Sequence, residues 1–197
     1  MRRGYGNNFK IAMISFLIVS SIAITIGYAS FSQILSINGE ATVLKSSWKI
    51  NFSNLSSAIL TGEATEVTHP SISSDGTDIS SYNVTFALPG DSVSYTFDVS
   101  NTGTFDAVLS SINIPVPVCT GNGDNALNDA SNVCNHLVYS LTYSDDSVIN
   151  EGDTLDKETS RSLKLTLTYK DDITASELPN DDVFVSNLGI SMYYSQA

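Results

Sequence analysis

Apolar and polar residues alternate one for one along most of this chain, and a period of two predicts β-strands. The cleanest stretch interleaves Val93, Tyr95, Phe97 and Val99 with Ser94, Thr96 and Asp98. Leu163, Leu165, Leu167 and Tyr169 alternate with Lys164, Thr166 and Thr168 in the same way. Shorter runs place Trp48, Ile50 and Phe52, then Tyr82, Val84 and Phe86, then Leu137, Tyr139, Leu141 and Tyr143 on common strand faces. Val108, Ile112 and Ile114 mark a less regular strand, and Phe184 to Tyr194 reads as the last one. Turn signals separate them: Pro89-Gly90-Asp91, Asn101-Thr102-Gly103, Asn150-Glu151-Gly152-Asp153 and Pro179-Asn180-Asp181. Helical periodicity after residue 30 is confined to a short turn around Thr174 to Leu178. Seven to nine strands so punctuated predict an all-β fold, a β-sandwich of jelly-roll or immunoglobulin-like type.

The N-terminus breaks the pattern. Ile11 to Tyr28 carries no charge and consists mainly of Ile, Ala, Leu, Val, Phe and Ser. Its length lies between a signal-peptide core and a minimal membrane span. Arg2, Arg3 and Lys10 precede it, so its N-terminus belongs in the cytoplasm. Gly27-Tyr28-Ala29 offers small residues at both recognition positions of a signal peptidase, with cleavage after Ala29. A cleaved signal and a retained membrane anchor both fit. The expected division is therefore 1–29 for targeting and 30–197 for one extracytoplasmic domain, outside the cell or on its surface. Phe31 to Val43, with Ile34, Leu35 and Ile37, is apolar and strand-like. It reads either as the domain's first strand or as one that leaves to pair with a neighbour's sheet edge.

Charge sharpens the partner classes. Only 15% of residues are charged, and all 21 acids follow the apolar segment. Against the six basic residues beyond position 30, that leaves a charge of −15. Such a surface disfavours nucleic acid and anionic lipid headgroups. Self-association or other surface proteins remain as partners, with the membrane reached only through an uncut N-terminal segment. Cys119 and Cys134 are the two cysteines; in an exported chain they read as one disulfide, the alternative being two free thiols. The bond closes a Gly/Asn/Asp-rich loop and stabilises by about 3 kcal/mol on chain-entropy grounds.

Little in the chain suggests catalysis. His69 and His136, the two histidines, sit in no metal-protease, Cys/His or triad context, and no Gly-x-Ser-x-Gly elbow or phosphate-cradling glycine loop occurs. The expectation is a protein without enzymatic activity. Acidic turns form the one candidate ligand set: Asp145, Asp146, Glu151 and Asp153 are weak Ca²⁺ candidates, with Asp171-Asp172, Asp181-Asp182 and the Asn/Asp-rich Cys119–Cys134 loop behind them. None has the spacing of a defined calcium loop, and solvated turns are the plainer reading.

Two stretches carry a resemblance. Ala29-Ser30-Phe31-Ser32 resembles the junction after the signal in TasA/camelysin-type proteins. Leu88-Pro89-Gly90-Asp91 through Asn101-Thr102-Gly103, continuing into Thr104-Phe105-Asp106-Ala107, is similar to that family's Pro-Gly-Asp…Thr-Phe…Asn-Thr-Gly stretch. About 20 residues match, and the pattern also occurs in immunoglobulin-like surface modules. The chain departs from the family at Gln33, where an Asp is usual, and in its cysteine loop. The resemblance implies a jelly-roll-like sandwich, signal cleavage, and biofilm-matrix fibres built by donating the N-terminal strand, with Ile34, Leu35 and Ile37 as anchors. The alternative expectation is a membrane-anchored adhesin or binding module using the disulfide-closed loop.

Overall fold

The structure, a computed structural model, describes residues 5–31, 36 and 38–197. Chain contacts divide it into two units, 1–44 and 45–197. The first holds helix α1 (Tyr5–Phe31), within which Ala29 falls. Its Gly6–Ile24 stretch is long and apolar enough to cross a membrane, and none of it is buried. Such a helix suggests a signal or a membrane anchor. Ile34, Leu35 and Ile37 lie outside the described residues.

The second unit contains β1 (Ile50–Ser53), β2 (Ile59–Thr61), β3 (Thr65–Thr68), β4 (Asn83–Thr85), β5 (Ser92–Asn101), β6 (Ala107–Asn113), β7 (Val118–Gly121), α2 (Ala126–Asn135), β8 (Leu137–Tyr143), β9 (Thr154–Leu155), β10 (Thr159–Tyr169), β11 (Val183–Ser186) and β12 (Ser191–Gln196). The chain is thus all-β after its N-terminal helix, apart from α2. The strands form several sheets. In the largest, β5 pairs with β10 over ten residues, from Thr159 opposite Asn101 to Thr168 opposite Ser92. β8 covers the far edge of β10. β1 and β2 share the other edge of β5, at its two ends. Ser56 fills the gap between them: its N–H donates to the Thr96 carbonyl, and its hydroxyl accepts from the Thr96 N–H. β12, β6 and β9 form a second sheet; β7 with β11 and β3 with β4 form two-stranded ones.

Alternation explains β5 directly. Val93, Tyr95, Phe97 and Val99 are buried, whereas the Ser, Thr and Asp between them are half-buried. Phe97, Val99, Leu141 and Leu163 of the largest sheet share one buried cluster with Ala107, Leu109 and Leu155 of the β6-containing sheet. Each fully buried Leu or Val there contributes on the order of 1.5–3 kcal/mol. Phe52 meets Phe97 edge-on at 5.5 Å, a favoured aromatic geometry.

The turns flanking β5 are held by buried side chains. Gly90 adopts φ +95°, which suits glycine, and lets Asp91 fold back. One Asp91 carboxylate oxygen accepts the N–H groups of Ala87 and Leu88 at 2.7 and 2.9 Å; the other accepts that of Glu63 at 2.8 Å. At the opposite end the Asn101 side-chain amide donates to the carbonyls of Phe105 and Leu155 and accepts the Gly103 N–H. Gly103 is required by close approach: a Cβ there would stand 2.8 Å from the Ser47 carbonyl oxygen.

Three local outcomes differ from the periodicity. The expected last strand is two strands, because Asn187 enters the left-handed region at φ 63° and redirects the chain from β7 to β6 as partner. Thr174 to Leu178 is a turn, in which Glu177 accepts from the Thr174 N–H and hydroxyl. The helix lies instead inside the cysteine loop, as α2.

Candidate functional site

The disulfide module comes first. Cys119 on β7 and Cys134 on α2 are bonded, with Cα atoms 5.8 Å apart. The bond straps helix to strand, and Asp129, 2% exposed, fastens both to the rest of the domain. Its carboxylate accepts the N–H groups of Asn180 and Asp181 at 3.0 and 3.3 Å. An acid that sequence reading groups with cation-seeking loop oxygens is therefore a structural acceptor. The signal was its four-residue spacing from Val133, the other buried residue of α2. Leu127, on the same helix, is 88% exposed.

The acidic turn is used piecemeal. Asp145 accepts from the Ser147 N–H and hydroxyl, which hold its carboxyl below the usual range. Asp146 pairs with Lys164. Asp153 accepts the Asn150 N–H and the Tyr143 hydroxyl, both at 2.8 Å, and these bonds likewise lower its pKa. Among the described residues no group of three or more His, Cys, Asp or Glu side chains is placed to hold a metal ion.

Both histidines have polar partners that explain them locally. His69 Nδ1 lies 2.9 Å from Glu66 Oε1, which also accepts the Tyr95 hydroxyl at 2.7 Å. Burial pushes the Tyr95 phenol up, and its bond to Glu66 pushes it further. For Glu66, burial opposes ionisation, yet the hydrogen bonds from Tyr95 and His69 outweigh it and lower its pKa. His136 Nδ1 donates to the Asn132 carbonyl at 2.8 Å, and its Nε2 stands 3.8 Å from Asp172. No hydroxyl or thiol nucleophile is hydrogen-bonded to either ring among the described residues; Tyr95 shares Glu66 with His69 and lies ring to ring with it at 6.0 Å.

Alternation could not reveal a largely apolar cleft, because its walls come from distant segments. A cavity of about 440 Å³ lies between the inner face of the largest sheet, at Phe52, Tyr95, Phe97, Leu141 and Leu165, and the crossing segment from Phe184 to Met192. A second cavity, of about 360 Å³, runs between Trp48, Ile50 and Phe52 on one side and Ile190 to Tyr194 on the other. The two share Phe52, Thr77, Asp78, Ile190 and Met192, so they adjoin along β12. Tyrosines close one end: Tyr82 and Tyr95 rings are 5.3 Å apart, and the Tyr139 hydroxyl donates to the Leu188 carbonyl. Burial pushes the Tyr139 phenol up to about 12, so all these hydroxyls stay neutral donors at any ordinary pH. The cleft can receive apolar side chains and offer hydrogen bonds from its tyrosines, and Asp78, Ser80 and Ser81 also stand on its wall. In the segment leading into this unit, Val43 is 94% and Leu44 83% exposed.

No family model, curated protein or solved structure matches this chain.

Proposed function

We propose that this chain is a non-enzymatic, exported structural protein of the cell surface or extracellular matrix, which assembles by laying its apolar N-terminal segment into a neighbour's cleft. The observation that carries the reading is the unfilled apolar cleft beside β12. A core that leaves such a volume between its layers suits an extended segment with alternating apolar side chains. The chain offers apolar residues for it at Ile34, Leu35 and Ile37. The apolar helix α1 and the disulfide are compatible with export. The finer fold reading is a β-sandwich of jelly-roll or immunoglobulin-like type, supported by the cluster that Phe97 and Leu163 share with Leu109 and Leu155. The Pro-Gly-Asp…Asn-Thr-Gly resemblance agrees with it.

The test compares protein beginning at Ser30 with protein beginning at Thr42. The first is expected to sediment as polymers visible by negative-stain microscopy, the second as monomers. Identical monomeric sedimentation of both rejects the reading. A second reading, a membrane-anchored adhesin, draws on the exposed Leu127 in the disulfide-closed loop. It expects that removing residues 120–133 abolishes adhesion while assembly persists.

A further inference from the structure

The largest sheet has two edges, and they are treated differently. At the β1 edge the outward Phe52 N–H donates to the Gly76 carbonyl at 2.6 Å, so the 73–78 turn caps it. At the β8 edge no described strand pairs on the outer side. The direction of the β8 backbone groups follows from its ladder. Ser144 N–H donates to the Ser162 carbonyl, and Lys170 N–H donates to the His136 carbonyl. Hydrogen-bonded pairs alternate in an antiparallel ladder, so Val138, Ser140 and Thr142 face β10 with their main-chain groups. Leu137, Tyr139 and Leu141 therefore point theirs outward. Tyr143, the next in that series, already donates its N–H to the Ser147 carbonyl.

Proteins guard such edges with charge, proline, bulges or brevity. β12 carries a register shift between Tyr193 and Tyr194, and β9 spans only Thr154–Leu155. β8 has none of these: Leu-Val-Tyr-Ser-Leu-Thr-Tyr is regular, uncharged and free of proline. In a chain of net charge −12 that absence matters, because two copies can meet along β8 without setting carboxylate against carboxylate on the strand.

We infer that the β8 edge pairs with β8 of a second copy, antiparallel about a two-fold axis at Tyr139. In this register Leu137 and Leu141 exchange main-chain hydrogen bonds across the axis, and Tyr139 exchanges them with its own counterpart. Val138, 39% exposed on the solvent face, lies opposite Ser140 of the second copy in a non-hydrogen-bonded pair, where side chains approach most closely. β8 itself carries no acid: Asp145 and Asp146 follow it in the turn, and Asp172 stands 3.8 Å from His136, just before it. The interface is isologous, so it closes as a dimer and joins two sheets into one. It uses main-chain groups of Tyr139 and Leu141, whose side chains line the cleft, and it does not involve the N-terminal segment.

The test uses the full chain in detergent micelles. Val138→Cys combined with Ser140→Cys is expected to give, on mild oxidation, a covalent dimer that reductant dissolves. Absence of that dimer, in a variant whose circular dichroism and melting match the parent's, overturns the pairing. Hydrogen exchange on the unaltered chain decides independently of any variant. The Leu137, Tyr139 and Leu141 amides are expected to exchange more slowly as protein concentration rises; equally fast exchange at every concentration overturns the proposal. Tyr139 and Leu141 also line the cleft, so the Val138 and Ser140 cross-link, on the opposite face of β8, is the result that separates this pairing from fibre growth through the N-terminal segment.

Discussion

Asp91 and Asn101 stand at opposite ends of β5, each 1% exposed, and each ties three main-chain groups from outside the strand. Asp91 gathers the entering turn and Glu63; Asn101 gathers the leaving turn and Leu155. The two ends of the central strand are thereby fastened to segments as distant in sequence as β9. A motif that sequence reading treats as two turns is a pair of clamps.

Asp91→Ala removes the carboxylate that gathers the N–H groups of Glu63, Ala87 and Leu88, three residues that water can reach. The expected loss is about 1.5–3 kcal/mol, the worth of hydrogen bonds to a charged group. Thermal unfolding followed by near-ultraviolet circular dichroism measures it. A shift no larger than that of an exposed control such as Asp75→Ala counts against the clamp.

Stability is expected to fall on the acid side. Burial alone raises the Asp91 pKa, but the N–H donors from Leu88, Glu63 and Ala87 outweigh it and hold the carboxyl below its ordinary value. Asp153 and Glu66 shift the same way. A depressed folded-state pKa contributes stability that is present above the unfolded value, about 3.9 for Asp, and is lost as pH falls through the folded value. Urea midpoints are thus expected to hold from neutral pH to about 5 and to drop steeply below about 4. Asp91→Asn is expected to flatten that drop.

Gly103→Ala sets a methyl group against the Ser47 carbonyl oxygen and the Lys49 N–H, 2.8 and 3.0 Å away. The expected cost is about 1–3 kcal/mol, the range for overpacked sites. It falls on the attachment of residues 45–49, where Thr104 and Ser47 exchange hydrogen bonds. Limited proteolysis is expected to cut there first.

Cys134→Ser releases α2 from β7. A loss of about 2–3 kcal/mol is expected for a loop of this length. Hydrogen exchange is expected to quicken in α2 and around Asn180, where Asp129 docks, while the β5 and β10 amides keep their protection. Uniform loss of protection throughout would show that the module is not local.

Much of the architecture was legible in the chain because burying one face of a strand is a local matter. Alternation in 93–99 and 163–169 named the buried faces of β5 and β10, and the apolar segment before Ala29 named a helix. Two cysteines, read as one disulfide, are bonded to each other. Tertiary structure decided what depends on partners. Only the competing edges of β7 and β6 split the 184–194 stretch into β11 and β12. Helix α2 forms because the disulfide and Asp129 anchor a short, polar segment too weak to be helical by propensity alone. The cleft exists because Phe52, Leu165 and Ile190, each an ordinary core residue by sequence, are brought to one volume that no described segment fills. The open β8 edge likewise follows from which strands remain unpaired, a property of the assembled sheet and of no single residue in it.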